Sequence, residues 1–363
     1  MAKRASDRPR VVVAMSGGVD SSVAVHLLKE QGFDVVGMTM KIWPSPRFAS
    51  CGERSCCGTD AVDDARRVAQ VLDVPYYCLD MVGEFAGEVV DDFVAEYGRG
   101  RTPNPCIRCN QTMKFGHLLR RAREVGAEKV ATGHYARLAH DERAGLWRLS
   151  VARDQGKDQS YALWSLTQAQ LARALFPLGE LTKPEVRDLA RALGLPVSEK
   201  RESQDVCFVE GGNYREFLRA RGVSPGPGPF VDRSGRQLGV HGGYTGFTIG
   251  QRRGLGLALG RPTYVVAIDP ARNAVVVGDL HELERREFRM GSVNWVSLDA
   301  PAGRVECRVK IRYGATPRRA IVEPGSGDEA TVLGERPFRA VTPGQSAVLY
   351  DETGALLGGG IIM

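Results

Sequence analysis

No apolar run in this 363-residue sequence approaches the length that crosses a bilayer, and the first apolar stretch, Val11 to Met15, is too short for a secretion-signal core. Those absences make the expected setting the cytosol, with no membrane partner. No internal repeat and no low-complexity tail appear, so neither a solenoid nor a disordered tether is expected. Eight cysteines are present, but their spacing is irregular and no secretion signal accompanies them. They do not read as a disulfide framework and instead raise the question of redox or metal chemistry. Strong charge is lacking too: a formal +6 is modest for this length and does not by itself point to nucleic acid. Local clusters carry more weight, namely Arg308, Lys310, Arg312, Arg318 and Arg319, and Arg252-Arg253 in a glycine-rich loop.

What is present begins with Val11-Val12-Val13-Ala14-Met15-Ser16-Gly17-Gly18-Val19-Asp20-Ser21-Ser22. The apolar run reads as a buried parallel strand, and Ser21 to Gln31 carries helical spacing at Val23, Leu27 and Leu28 before Gly32 stops it. Ser16-Gly17-Gly18 between them allows close backbone approach. Its amides, the positive end of the following helix, and the hydroxyls of Ser16, Ser21 and Ser22 suit a polyphosphate. No Gly-Lys-Ser/Thr follows the glycines, and the dinucleotide fingerprint is missing. The S-G-G-x-D-S pattern resembles the pyrophosphatase loop of ATP-dependent adenylating enzymes.

Phe33 to Met40 reads as a second strand, completing a βαβ unit and setting Met40 beside the phosphate loop, where a nucleobase would rest. Thr59 to Leu72 reads as a helix, Pro75 to Met81 as a strand, and Phe85 to Tyr97 and Met113 to Glu124 as helices. Glu128 to Ala136 is a short strand ending in Gly133-His134, with the glycine again permitting close approach to a nucleotide and His134 favoured as a contact rather than a base. Leu166 to Leu193 looks helical, with a start signal at Thr182-Lys183-Pro184-Glu185. Beyond the stiff Pro225-Gly226-Pro227-Gly228-Pro229, strands and turns dominate. A hairpin is expected around Asp232 to Gly235, and the strands after Phe288 form the pattern of a small antiparallel barrel.

The cysteines divide by context. Cys51, Cys56 and Cys57 have poor spacing for a closed zinc site and read as structural or incidental. Gly98 to Asn110 is a rigid basic loop whose Cys106-x-x-Cys109 pair suits a zinc half-site, a redox pair or a nucleophile near a helix start. Cys207 lies in a short apolar stretch followed by Gly211-Gly212.

Together, Ala14 to Ser22, Thr102-Pro103-Asn104-Pro105 with Cys109-Asn110, Thr132 to Tyr135, Lys157 to Tyr161, Cys207-Phe208, Thr248 to Arg252 and Ala340 to Ser346 resemble, in order and over nearly the whole chain, the bacterial tRNA-specific 2-thiouridylases of the PP-loop ATP pyrophosphatase superfamily. The resemblance implies an α/β parallel-sheet PP-loop domain over 1–211, with the helical segment about 171–195 packing with the central domain. A small, mostly β, tRNA-contacting central domain follows over 212–282, then a C-terminal β-barrel over 283–363. It implies ATP held by Ala14, Met15, Ser16, Gly17, Gly18, Val19, Asp20, Ser21, Met40 and Gly133. Mg2+ would neutralise charge on the leaving pyrophosphate, and by its chemistry Asp20 is the carboxylate best placed to orient or coordinate it. The uridine O2 would attack the α-phosphate and release pyrophosphate. Cys207 would carry a persulfide from a sulfur donor protein, a cysteine desulfurase or carrier, and Cys109 would be the nucleophile that helps deliver sulfur to C2, with a Cys109–Cys207 disulfide reduced between turnovers. The target base, a flipped wobble uridine of a Lys-, Glu- or Gln-type tRNA, would meet Asn104, Pro105 and Cys106, and the tRNA would meet His134, Lys157, Asp158, Gln159, Arg312, Tyr313 and Gln345. Many members carry aspartate where this chain has Cys106. Cys106, Cys109 and Cys207 therefore form an alternative ligand set for a [4Fe-4S] cluster that would carry the sulfur. Another adenylating ligase, using ammonia or an amino acid, is the competing enzyme reading.

Overall fold

The computed structural model describes residues 8–43, 59–201, 206–298 and 301–363; Cys51, Cys56, Cys57 and the stretch 202–205 lie outside the described residues. The chain forms two units. One takes in the described residues of 1–89, 106–212 and 354–356, and the other those of 90–105, 213–353 and 357–363.

In the first unit, strands β1 (Arg10–Ala14), β2 (Asp34–Lys41), β3 (Tyr76–Asp80), β4 (Lys129–Ala131) and, past a hairpin of β5 (Arg137–Asp141) and β6 (Leu146–Ser150), β7 (Ala174–Leu175) supply a five-stranded sheet in the order β3-β2-β1-β4-β7. Every pairing in it is parallel. Val11, Val12 and Val13 are 0% exposed, the continuous apolar strand that a sheet covered on both faces requires. Helix α1 (Val19–Glu30) presents Val23, Ala24 and Leu28, and α2 (Thr59–Val71) presents Ala65 and Val68, to one core shared with Val186 and Ala190 of the helix Lys183–Ala192. That last helix starts as its sequence signals: Glu185 Oε2 accepts from the Thr182 amide at 2.7 Å, closing a capping box, with Pro184 in the first turn.

Several expectations give way. Phe85 to Tyr97 is three pieces, Val82–Phe85, a π-helical turn at Ala86–Val90 and Asp91–Gly98. The helix expected at Met113 begins at Pro105 and runs through a π-helix, Cys109–His117, before Leu118–Glu124, because the wider π turn hides the apolar spacing from a 3.6-residue template. Leu166 to Leu193 is not one helix. Thr167 caps a single turn, Gln168–Leu171, then β7 joins the sheet, and Gly179 lies so close to Ala136 that a Cβ there would stand 2.2 Å from its carbonyl oxygen.

The second unit holds a four-stranded sheet of β8 (Gly228–Val231), β9 (Gln237–His241), β10 (Tyr264–Asp269) and β11 (Ala274–Gly278) in the order β10-β11-β8-β9. The β8–β9 hairpin turns where expected, with Asp232 Oδ1 accepting from the amides of Ser234 and Arg236. Six strands, β12 (Glu284–Trp295), β13 (Val305–Lys310), β14 (Arg318–Pro324), β15 (Ala330–Arg339), β16 (Ser346–Tyr350) and β17 (Leu356–Ile362), close into a barrel around Met290, Val309, Val332 and Leu349. The fold class is the one the sequence implied: a parallel α/β sheet, a small β domain and an antiparallel barrel.

Candidate nucleotide and RNA site

In the first unit, sheet order reverses at β1, which has β2 on one side and β4 on the other. Ligands of open α/β sheets sit outside the carboxyl ends of the strands at such a point. Met15 to Ser21 leaves the end of β1 there, and Thr132-Gly133-His134 leaves the end of β4. Gly17 is left-handed at φ +66°, and a Cβ on it would stand 2.2 Å from the Ala61 carbonyl oxygen, so both conformation and space demand glycine. Gly18 caps α1 without a side-chain bond. Its carbonyl accepts from Ser22 Oγ at 2.8 Å and Ser21 Oγ at 3.2 Å, while Ser21 Oγ accepts from the Ser16 amide at 3.2 Å. Ser16 is exposed, whereas Ser21 and Ser22 are buried. Of the three serines read as phosphate donors, two therefore also shape the turn. Val19 is core, Ala14 is half-buried and Met15 is fixed by its amide donating to Met38 O at 2.8 Å. Met40, half-buried, pairs with Leu79 at the carboxyl end of β2.

Gly133 is a close approach of a different kind from the one expected. A Cβ there would meet Ser21 N at 2.7 Å and Asp20 C at 2.8 Å, so the missing side chain lets the end of β4 pack on the first turn of α1. Asp20 is held from two sides, Tyr135 Oη donating to its Oδ1 at 2.8 Å and Lys183 Nζ at 2.6 Å. Among the described residues both contacts fall on Oδ1. Lys200 Nζ donates to Gly17 O at 3.0 Å and to Asp64 Oδ2 at 2.6 Å. Tyr135, Lys183, Lys200 and Asp64 join this site without a local sequence signal for it: the first two sit inside the stretches Thr132 to Tyr135 and Thr182 to Glu185, and nothing local marks the others.

His134 is 8% exposed. Its Nδ1 lies 2.6 Å from Thr132 Oγ1 and its Nε2 3.4 Å from Lys114 Nζ, and burial first and Lys114 second hold its pKa well below the usual histidine value. Lys114 donates as well to Asn110 Oδ1 at 2.9 Å, and Asn110 Nδ2 donates to Ala162 O at 2.8 Å. The imidazole expected to meet RNA is turned inward and braces the residue after Cys109. Asp158, 7% exposed, is likewise spent inside its turn, accepting from the amides of Ala152 and Ser160 and from Ser160 Oγ. Gln159 Oε1 accepts from the Tyr135 amide at 3.0 Å, and Lys157 is half-buried beside them.

Cys106 is exposed on the short helix Pro105–Arg108, and Cys109, half-buried, opens the π-helix. Cys207, half-buried, precedes Phe208, whose ring stacks on Trp43 at 6.4 Å and meets Phe85 edge-on at 5.6 Å. Among the described residues, no three Cys, His, Asp or Glu side chains gather so that they could hold a metal ion. The set Cys106, Cys109 and Cys207 is thus not arranged as cluster ligands.

The second unit gathers three of the separate sequence motifs in space. The Thr102 amide donates to Pro343 O at 2.9 Å, Gln345 Nε2 donates to Thr102 O at 2.8 Å, and Thr102 Oγ1 lies 3.3 Å from Thr248 Oγ1. Arg312 joins them, donating to Ala340 O at 2.5 Å, Thr342 Oγ1 at 3.2 Å and Ile249 O at 3.4 Å. Gln345, read as an RNA contact, thus holds the loop that leads to half-buried Asn104 and buried Pro105, and Arg312, read likewise, ties the Ile249 and Ala340 stretches together. Tyr313 is 47% exposed with Lys310 Nζ 5.5 Å from its ring centre.

Three family models match the chain in succession: the tRNA methyl transferase HUP domain on residues 9–211, the tRNA methyl transferase PRC-barrel domain on 215–279 and the aminomethyltransferase beta-barrel domain on 285–362. The tRNA-specific 2-thiouridylase MnmA of Moorella thermoacetica is 50% identical over 352 residues, 97% of this chain and 98% of that protein. The like-named proteins of Clostridium perfringens and Carboxydothermus hydrogenoformans are 47% and 49% identical, each alignment covering 98% of both chains.

Proposed function

The chain belongs to the tRNA-specific 2-thiouridylase family, and from that premise we propose that it thiolates C2 of the wobble uridine of tRNA at the expense of ATP. The observation that carries this reading is the glycine turn at the strand-order reversal, in the same unit as Cys109 and Cys207. Amides of Ser16 to Ser21 and the N-terminus of α1 would hold the polyphosphate, with Met40 beside the base and Ala14, Met15, Val19 and Gly133 shaping the cradle. Asp20 suits Mg2+, because among the described residues the contacts of Tyr135 and Lys183 both fall on Oδ1, and such an ion takes one or two carboxylates plus phosphate oxygens. Bound there, Mg2+ would neutralise charge on the pyrophosphate. The uridine O2 attacks the α-phosphorus and pyrophosphate leaves, turning a poor leaving group into AMP.

Sulfur then comes from Cys207. Its persulfide, loaded by a donor protein, adds its terminal sulfur to C2, and AMP departs. The Cys109 thiolate attacks the Cys207 sulfur, which breaks the S–S bond, leaves 2-thiouridine and forms a Cys109–Cys207 disulfide for an external thiol to reduce. Asn104, Pro105 and Cys106 would meet the flipped base, with Lys157, Gln159 and Tyr313 on the tRNA of Lys, Glu or Gln type. A catalytic part over 1–211, a central part over 212–282 and a barrel over 283–363 fit this division of labour. Because Cys106, Cys109 and Cys207 do not gather among the described residues, this reading routes the sulfur through the persulfide. The matching domain families are named for methyl transfer, but a nucleotide loop paired with two separated thiols answers the needs of sulfur transfer.

Cys207→Ala separates the halves. The variant is expected to keep tRNA-dependent pyrophosphate release and to lose 2-thiouridine by mass spectrometry of the tRNA. Full thiolation by Cys207→Ala would overturn the sulfur relay, and pyrophosphate release without tRNA would overturn the adenylation of uridine.

A further inference from the structure

Two lysines reach the glycine turn from outside the motif that defines it. Lys183 Nζ donates to Asp20 Oδ1 at 2.6 Å with only 9% of its side chain exposed, and Lys200 Nζ bridges Gly17 O at 3.0 Å and Asp64 Oδ2 at 2.6 Å. We propose that Lys183 and Lys200 are ligands of the nucleotide's phosphates, held ready by Asp20 and Asp64 and passed to the polyphosphate when it binds. The inference rests on the ATP-dependent reading above and adds two binding residues to it.

Charge is the first argument. Around the turn each lysine is held at rest on an aspartate, Asp64 being shared with Arg67 Nη1 at 3.8 Å, so the two ammonium groups at rest offer little attraction to an anion carrying several negative charges. Releasing the lysines supplies that attraction. A divalent cation arriving with the nucleotide would be held by Asp20 and balance its charge when Lys183 leaves Oδ1, and Asp64 keeps Arg67 Nη1 at 3.8 Å when Lys200 leaves.

Position is the second. Lys183 is the first residue of the helix Lys183–Ala192, immediately after the Thr182 cap. The positive end of a helix favours acidic side chains, a preference that Asp154 meets by accepting from the Lys183 amide at 2.9 Å, and a lysine side chain gains nothing from that field. The same lysine has given up most of its water, a cost that ion pairing with a carboxylate repays poorly. A residue that breaks a local stability rule and is nonetheless built into a capping box facing the candidate site fits a ligand role better than a structural one. Lys200 lies on the carbonyl of Gly17, the residue whose left-handed turn aims the loop, and its flexible four-carbon stem can exchange one oxygen for another without backbone movement.

Isothermal titration calorimetry of MgATP into the full-length protein, without tRNA, tests this. Lys183→Met and Lys200→Met are each expected to weaken binding roughly tenfold or more, the range of a lost charge-assisted hydrogen bond, with partial recovery in Lys183→Arg and Lys200→Arg. Asp64→Asn decides between ligand and strut. If Lys200 binds phosphate, removing its resting partner leaves MgATP affinity unchanged or tighter; if the pair only braces the turn, Asp64→Asn weakens binding as much as Lys200→Met. Equal losses in those two variants, or wild-type affinity in both methionine variants, would overturn the proposal. Thermal melting shows which variants are folded, and Lys200→Arg with Asp64→Asn still decides if a methionine variant is not. A wild type that fails to bind MgATP would sink the ATP-dependent reading itself, an outcome distinct from lysine variants that bind like wild type.

Discussion

Burial sets the chemistry of His134. Enclosed at the end of β4 and 3.4 Å from the Lys114 ammonium, the ring cannot take a second proton without placing two cations side by side in a low dielectric. Its pKa therefore falls well below that of an exposed histidine, with burial the larger cause and Lys114 the smaller. In the unfolded chain the same group titrates near 6.5. Below that pH the unfolded state binds the proton and the folded state does not, so stability present at neutral pH is lost as pH falls, by at most about 1.4 kcal/mol per pH unit for one proton. Urea unfolding at pH 7 and pH 5 is expected to show a smaller acid-side loss in His134→Gln than in wild type, and equal losses would refute the assignment. The sequence placed Gly133-His134 at a strand end. It did not show which way the ring turned, because that depends on Lys114, twenty residues earlier, and on Phe176, whose ring meets the imidazole edge-on at 6.1 Å.

Among the elements, the π-helix Cys109–His117 is where sequence periodicity failed and where a nucleophile is expected. Its turn is braced by a side chain from elsewhere: Gln170 Nε2 donates to Gln111 O at 2.9 Å and Phe115 O at 3.0 Å, while Gln170 Oε1 accepts from the Thr167 amide at 3.0 Å. One glutamine thus closes the cap of a short helix and holds two carbonyls of a π turn. β1, α1 and β2 were legible because each is stabilised by its own apolar spacing against one sheet. The region from Leu166 to Leu193 was not, because its breaks come from tertiary partners such as Ala136 against Gly179. Gln170→Leu removes four hydrogen bonds at once, counting the one from Thr167 Oγ1 to Oε1, and is expected to cost about 1–3 kcal/mol by urea unfolding. It should depress 2-thiouridine formation more than tRNA-dependent pyrophosphate release, since the phosphate loop keeps all of its contacts. An equal fall in both activities would show that the brace does not act through the Cys109 helix.

For the whole molecule, net charge was a poor guide and committed charge a better one. Of the five cations that clustered in the C-terminal sequence, Arg308 and Arg319 both pair with Glu352, Arg318 donates to Pro337 O, and Arg312 is spent on the carbonyls of Ile249 and Ala340. The barrel uses them to join strands and loops, a use that a count of lysines and arginines cannot distinguish from an RNA-facing patch. Arg252 and Arg253 differ: both are exposed on the loop after Gly250, whose own backbone is pinned by its amide donating to Val265 O at 2.8 Å. A pinned loop presenting two guanidinium groups can meet phosphates without an ordering cost, and each phosphate contact releases about one counterion. Joint replacement of Arg252 and Arg253 by alanine is therefore expected to weaken tRNA binding across all tRNA sequences alike and to reduce the dependence of log affinity on log salt by about one to two. Arg308→Ala, breaking a strand-to-turn ion pair, should leave that slope unchanged. Filter binding over a series of salt concentrations measures both. If the slopes of the double variant and the wild type coincide, the phosphate contacts lie elsewhere on the chain.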